Sequence, residues 1–319
     1  MDSLIRTFSD YYNWQDFRKF QNTLAQEVYD TLGTSCSNSD GEIKMVTKMC
    51  SAIDSKKFEK MQFYARKIHE SRSFVEFHNQ DKPITKELAD MVIMSIATKN
   101  RKIIYEKTAF IQNKKEDSEN IWKIDQDQLY LLHNFPTFKG DKGIFRKTFR
   151  HEVIFQNHSN SLGNYGLFQS PGEIVLVNAL TVYKLQQSGK ISFSDIRKYT
   201  HNNILNNAFP LFDHHYVDEM FYNYFKYFGK YGLPYLNLPF LNNCIISYNV
   251  YEFIRNWSLF NIGEVVSVYG NNVNVDLKKF NQVLLREVGL YDFISDNIEA
   301  EEFENNLTIM VAHLNLDDD

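Results

Sequence analysis

Proline and glycine are scarce, 6 and 13 among 319 residues. Sandwiches and barrels of β-strands turn the chain often and place those residues at the turns, so their scarcity favours helices. Cysteine is scarcer still. Cys36, Cys50 and Cys244 are too few and too scattered for a disulfide framework or a zinc finger, and a reducing compartment is the simplest reading. No apolar run approaches the roughly 18 residues of a membrane-spanning helix. Met1 to Asp10 holds no long apolar stretch of a secretory signal. The chain therefore reads as soluble and intracellular, cytoplasmic or nuclear, not secreted, with no membrane partner.

The Gly-rich loops that cradle phosphates are missing too. Neither a GxxxxGK(S/T) nor a GxGxxG pattern occurs, and Gly163-Asn-Tyr-Gly166 has a different spacing. No GxSxG, HExxH, CxxC or EF-hand loop is present. On motifs alone the chain has no catalytic residue and no cofactor.

What is abundant is apolar bulk. Hydrophobic residues make up 43% and aromatic ones 15%, ample for a buried core and incompatible with disorder. Asn, Lys, Ile, Phe and Tyr, all from AT-rich codons, are frequent, which hints at a low-GC genome such as that of many viruses. The periodicity is mostly helical. Trp14, Phe17, Leu24, Val28 and Leu32 outline one helix stopping at Gly33, and Ile43, Val46, Cys50 and Ile53 a second. Phe58, Met61, Tyr64, Ala65 and Ile68 outline a third, and Leu88, Val92 and Ile96 a fourth. Ser170-Pro171-Gly172-Glu173 reads as a capping box opening a helix through Ile174, Val177, Leu180, Thr181 and Leu185 to Gly189. Further helices are expected at 194–207, 213–228, 244–260, 276–288 and 298–313. A minor β element is expected near 144–156, and a β-hairpin near 264–276 around Gly270-Asn271-Asn272. His158 to Gly172 reads as a loop. The expected class is thus mainly α, an α-rich α+β protein. Its polar stretch Gln112 to Asn120 would separate an N-terminal helical domain, 1–111, from a C-terminal α-rich domain, 121–319, packed against it.

Charge is distributed unevenly. Ten acidic residues and no Lys or Arg lie between Glu287 and Asp319, so a net charge of −5 for the chain leaves residues 1–286 at +5. Lys99, Arg101, Lys102, Lys107, Lys114 and Lys115 form one basic stretch. Lys139, Lys142, Arg146, Lys147 and Arg150 form another, with Phe138, Phe145 and Phe149 between them. Cations for phosphates and rings for bases are the ingredients of single-strand nucleic-acid binding. The nucleic-acid-binding candidates are accordingly Lys99, Arg101, Lys102, Lys139, Lys142, Arg146, Lys147 and Arg150. His214, His215, Asp218 and Glu219 are weak metal-ligand candidates, since the pairs His214/Asp218 and His215/Glu219 would each share a helix face. Ten aromatics between Tyr216 and Phe240 suit a core or a protein interface. The leading expectation is a non-enzymatic assembly or binding protein, an oligomeric, RNA-binding or otherwise nucleic-acid-associated scaffold of nucleocapsid or replication type. The first alternative is a purely protein–protein structural component. The second is a metal-dependent nuclease using the 213–219 cluster.

Overall fold

The computed structural model describes residues 13–68, 73–155, 158, 160–206, 246–268, 271–291 and 307–317. Two helices come first, α1 (Trp14–Ser37) and α2 (Glu42–Ile53). The Asn13 side chain caps α1 by accepting from the Gln15 amide. Seven strands follow: β1 (Lys57–Phe58), β2 (Met61–Ile68), β3 (Phe74–Asn79), β4 (Lys82–Glu87), β5 (Met91–Lys99), β6 (Lys102–Lys115) and β7 (Ile121–Lys123). Then come α3 (Gln126–Asn134), β8 (Phe138–Gly140), α4 (Gly143–Thr148), β9 (Gly163–Gln169), β10 (Glu173–Asn178), α5 (Ala179–Leu185), β11 (Lys190–Ser192) and α6 (Phe193–Asn206). The described chain closes with α7 (Val250–Ser258), β12 (Glu264–Val268), β13 (Asn271–Asn272), α8 (Val275–Glu287) and β14 (Leu307–Asn315).

The fold is α/β, organised on a mixed sheet of nine strands, and the expectation of a mainly α protein is overturned. Along the sheet the order is β1-β2-β14-β5-β6-β12-β13. Strand β6 also pairs in parallel with β9 beyond its contact with β12, and β10 pairs with β9. The sheet therefore draws strands from both sides of residues 116–120. Smaller sheets, β4-β3-β8 and β11-β7, flank it.

Both faces of the sheet are covered, which explains the misreadings. On one face Met91, Ile93, Tyr105, Ala109, Ile111, Phe63 and Met310 pack against α1, α2 and α7. On the other, Val92, Met94, Phe110, Tyr64, Ile309 and Val311 pack against α3, α5, α8 and the β3 sheet. A strand buried on both sides has no polar alternation, so its apolar run also satisfies helical spacing. Residues 91–98 of β5 are all buried, and the helix expected at Leu88–Ile96 is this strand. The helix expected at Phe58–Ile68 is β1 and β2. The C-terminal part of the one expected at 298–313 is β14, inserted between β2 and β5. The linker expected at Gln112 is the end of β6, which runs to Lys115. Near 144–156 the chain forms helix α4, and only Val153 makes a β-bridge, to Phe138.

The proposed capping box is a correction of a different kind. Ser170-Pro171, a cis peptide, lies in the turn joining β9 to β10, and His158 to Gly172 holds strand β9. Ile174, Val175, Leu176 and Val177 are all buried in β10, where β-branched residues pack well. Gly172 allows the turn to press against α1: a Cβ there would stand 2.6 Å from the Tyr29 carbonyl oxygen and 2.7 Å from the Gly33 amide nitrogen. The close approach is why Gly33 lies inside α1, which continues to Ser37. Other sequence expectations hold. Helices α1, α2, α6, α7 and α8 fall where periodicity places them, and β12 and β13 form a short antiparallel pair within 264–276. The helix expected at 213–228 lies outside the described residues.

The true cap in this region is Asn178, whose Oδ1 accepts from the Thr181 amide at 2.8 Å. Asn178→Ala is therefore expected to cost about 1 kcal/mol, whereas Ser170→Ala, exposed and in a turn, is expected to stay within about 0.5 kcal/mol of the parent. Urea midpoints of the two variants check this. A larger loss for Ser170→Ala would restore the capping-box reading.

Candidate active site

The pairing of β5 with β6 sets Met91 opposite Ile111. Asp90, one residue before β5, consequently stands beside Gln112, and its amide donates to the Ile111 carbonyl at 3.1 Å. Asp90 Oδ2 accepts from Gln112 Nε2 at 2.5 Å and from the Asn113 amide at 2.6 Å. Gln112 is 5% exposed, and its Oε1 has no hydrogen-bond partner among the described residues. Asn113 Oδ1 next to it and Asn281 Oδ1 elsewhere are partnerless in the same way, and such oxygens are open to a water or an ion. Lys114 lies two residues along the same strand and shares the Gln112 face.

Helix α2 brings a second carboxylate to this strand end. Glu42 opens the helix, where the dipole favours negative charge. Its Oε1 accepts from the Lys115 amide at 2.9 Å, and its Oε2 stands 3.5 Å from Lys114 Nζ. Lys115 Nζ in turn donates to the Asp40 carbonyl at 3.0 Å. Asp40 also pairs with Lys44 at 2.7 Å and Lys48 at 2.8 Å. Hydrogen bonds from these two ammonium groups hold its carboxyl at about 2. The α1–α2 turn is thereby tied to the end of β6.

Loss of water pushes the Asp90 carboxyl up to about 7. Glu87 and Glu42 push the same way, while the Asn113 amide and Lys114 oppose them. Asp90 and Glu42 line a crevice of about 10 Å³, room for about one water, whose walls include Thr47, Lys67 and Thr308. Asp90 with Gln112 and Glu42 with Lys114 thus lie at the same end of β6. Hard oxygen donors of this kind suit Mg²⁺ or Mn²⁺, which bind through one or two carboxylates and keep several waters. Among the described residues no three His, Cys, Asp or Glu side chains gather in a way that could hold a metal ion. A wider groove along the outer face of α1, whose walls include Arg18, Lys19, Glu27, Asp30 and Tyr251, is open and carries charges of both signs.

The residues singled out from the sequence are dispersed. Lys99, Arg101 and Lys102 are exposed at the β5–β6 turn, and β6 carries Lys102 about 33 Å from Gln112. Lys107 is buried within β6. Lys139 pairs with Glu76 at 2.8 Å, and Lys142 Nζ lies 5.2 Å from the centre of the Phe74 ring. Arg146, Lys147 and Arg150 are exposed on and just after α4. The interleaved Phe138 and Phe145 are core residues, and Phe149 stacks on Phe280, so these rings are committed to packing. His214, His215, Asp218 and Glu219 lie outside the described residues, as do Asp292 to Glu304 of the acidic segment. Cys36 and Cys50 are free thiols, the latter buried. Among the described residues no helix is long and apolar enough to cross a membrane.

No family model, no curated protein and no solved structure matches this chain. The expected description of a helical protein is overturned by the sheet, and nothing found supports the RNA-binding or viral parts of it. The site itself escaped the sequence reading. Its signal was a carboxylate before one strand and Gln-x-Lys at the end of the next, and it means something only if residues 91–115 form a hairpin.

Asp90 also makes a thermodynamic test. Its carboxyl titrates higher in the fold than the roughly 3.9 of an unfolded chain, so its ionisation opposes folding. That opposition is absent below about pH 4, grows as pH rises, and is complete above about 7. Asp90→Asn should therefore raise stability by roughly 2 kcal/mol at about pH 8 without divalent cations, and by nothing near pH 4. Urea unfolding at the two pH values decides it. A destabilised variant at the higher pH would show that the carboxylate is already compensated.

Proposed function

We propose that the chain is a divalent-cation-dependent phosphodiesterase acting on nucleic acid. The observation that carries this reading is the meeting of the water-stripped Asp90 carboxylate, the partnerless Gln112 Oε1 and Lys114 at one strand end, with Glu42 across from them. Asp90, Glu42 and Gln112 would supply oxygen ligands to Mg²⁺ or Mn²⁺. The bound cation acidifies a water and polarises the phosphoryl oxygen. Lys114, free to leave Glu42 for substrate, sets its ammonium against the charge that builds on the phosphate. In such a step the water oxygen would bond to phosphorus and release its proton to solvent, while the ester P–O bond breaks and the departing oxygen takes a proton from solvent.

The surroundings favour a polymer. Lys67, Lys114 and Lys115 stand around the carboxylates as cations for the phosphates of a polymer. The reading shares its class, a metal-dependent nuclease, with the third expectation from sequence but rests on different residues from the 213–219 cluster. A non-enzymatic nucleic-acid scaffold is what binding without cleavage would leave in its place. Self-association through the acidic C-terminal segment is a separate proposal.

Incubation of the full chain with duplex and single-stranded DNA in Mg²⁺, Mn²⁺ or EDTA tests the reading. Cleavage is expected with either cation and not with EDTA. Asp90→Asn and Lys114→Ala should each lose at least about a hundredfold in rate. No cleavage with either metal, or full activity in Asp90→Asn, contradicts the assignment.

A further inference from the structure

Strand β6 carries a second buried carboxyl, away from its Gln112 end. The register sets Glu106 opposite Ser267 of β12 on one side and Ile96 of β5 on the other. Glu106 is 1% exposed, and Thr108, Ser267 and Asn281 are fully buried. Helix α8 supplies Asn281 to this patch. Its Nδ2 donates to Glu106 Oε1 and to Thr108 Oγ1, both at 2.6 Å, which uses both of its protons. Among the described residues Glu106 Oε2, Asn281 Oδ1 and Ser267 Oγ have no hydrogen-bond partner. An ionised carboxylate and an amide oxygen only accept, so neither of the first two can satisfy the other.

We propose that Glu106 is a pH-operated latch on α8. With a proton on Oε2 the carboxyl gives one hydrogen bond to the Asn281 amide and takes one from it, and the helix is held to the sheet. Without that proton two buried acceptors are left with no donor, and the helix loosens.

The surroundings give the ionised form little support. Burial pushes the Glu106 carboxyl up to about 7, against the pull of Asn281, Lys278 and Ser267. Lys278 Nζ is engaged with Asn272 Oδ1 at 2.7 Å, and Lys279, next to it on α8, pairs with Asp276. Lys107 points to the opposite face of β6, and Glu264 of β12 acts on it. Burial brings the Lys107 ammonium down to about 7, but with the opposite sign: it becomes easier to bury as pH rises. The latch also guards the core. Phe280, beside Asn281, meets the rings of Phe110, Phe138, Phe145, Phe149 and Phe155 at centroid distances of 4.3 to 6.4 Å. Lifting α8 opens that aromatic cluster to water.

The test is hydrogen–deuterium exchange of the full chain, read by mass spectrometry over peptides of α8 and, as a reference, of α7. Rates are corrected for the pH dependence of an unstructured peptide. Ionisation of Glu106 opposes closure of the helix: the opposition is absent below about pH 4, grows with pH and is complete above about 7. Protection of α8 in the wild type should therefore fall about tenfold between about pH 6 and 8.5, without a matching fall in α7. In Glu106→Gln the side-chain amide supplies acceptor and donor with no proton to lose, so α8 should be equally protected at both values. Equal protection of wild-type α8 at the two pH values, a fall shared equally by α7, or the same fall in Glu106→Gln overturns the proposal. The first two readings need only the wild type and decide the matter even if the variant does not fold.

Discussion

The pairing of β5 with β6 is the constraint from which the rest of the structure follows. Strand β6 runs for 14 residues, with β5 along one edge and first β12, then β9, along the other. Its register leaves no freedom in where Asp90 falls relative to Gln112, and slipping it by one residue would turn every core side chain to the opposite face. The same strand carries Phe110 into one core and Ile111 into the other. Packing on two faces and chemistry at one end are therefore fixed by a single set of backbone hydrogen bonds.

Around that strand end the molecule accepts an electrostatic cost. Asp90 is stripped of water beside two further carboxylates, while Gln112 Oε1 is left without a partner. Asp40, by contrast, is closely compensated by Lys44 and Lys48. A desolvated carboxylate beside a partnerless amide is the kind of feature a binding or catalytic site requires and stability alone would remove.

How much of this was legible in the sequence depended on solvent. Helices α1, α2 and α8 keep one face toward water, so their apolar stripes were readable at 3- to 4-residue spacing. Strands β5 and β14 are covered on both sides, and a run such as Met91 to Ala97 carries no polar alternation to separate it from a helix. Ser170-Pro171-Gly172-Glu173 met every local rule of a cap, yet the buried run Ile174 to Val177 won a place in the sheet. The site was hidden by the same errors. With residues 88–96 read as helix and 112–120 as linker, Asp90 fell in the N-terminal domain and Gln112 in the linker after it. Lys114 was noticed only as part of a charge run.

The central claim is that Asp90, Glu42 and Gln112 together hold a divalent cation. Calorimetric titration of Mn²⁺ into the wild-type chain and into Gln112→Leu tests it most directly, because leucine removes the partnerless oxygen and keeps the buried volume. The account expects one Mn²⁺ site in the wild type and at least about tenfold weaker binding in Gln112→Leu. Equal affinities, or no binding heat in the wild type, would contradict it.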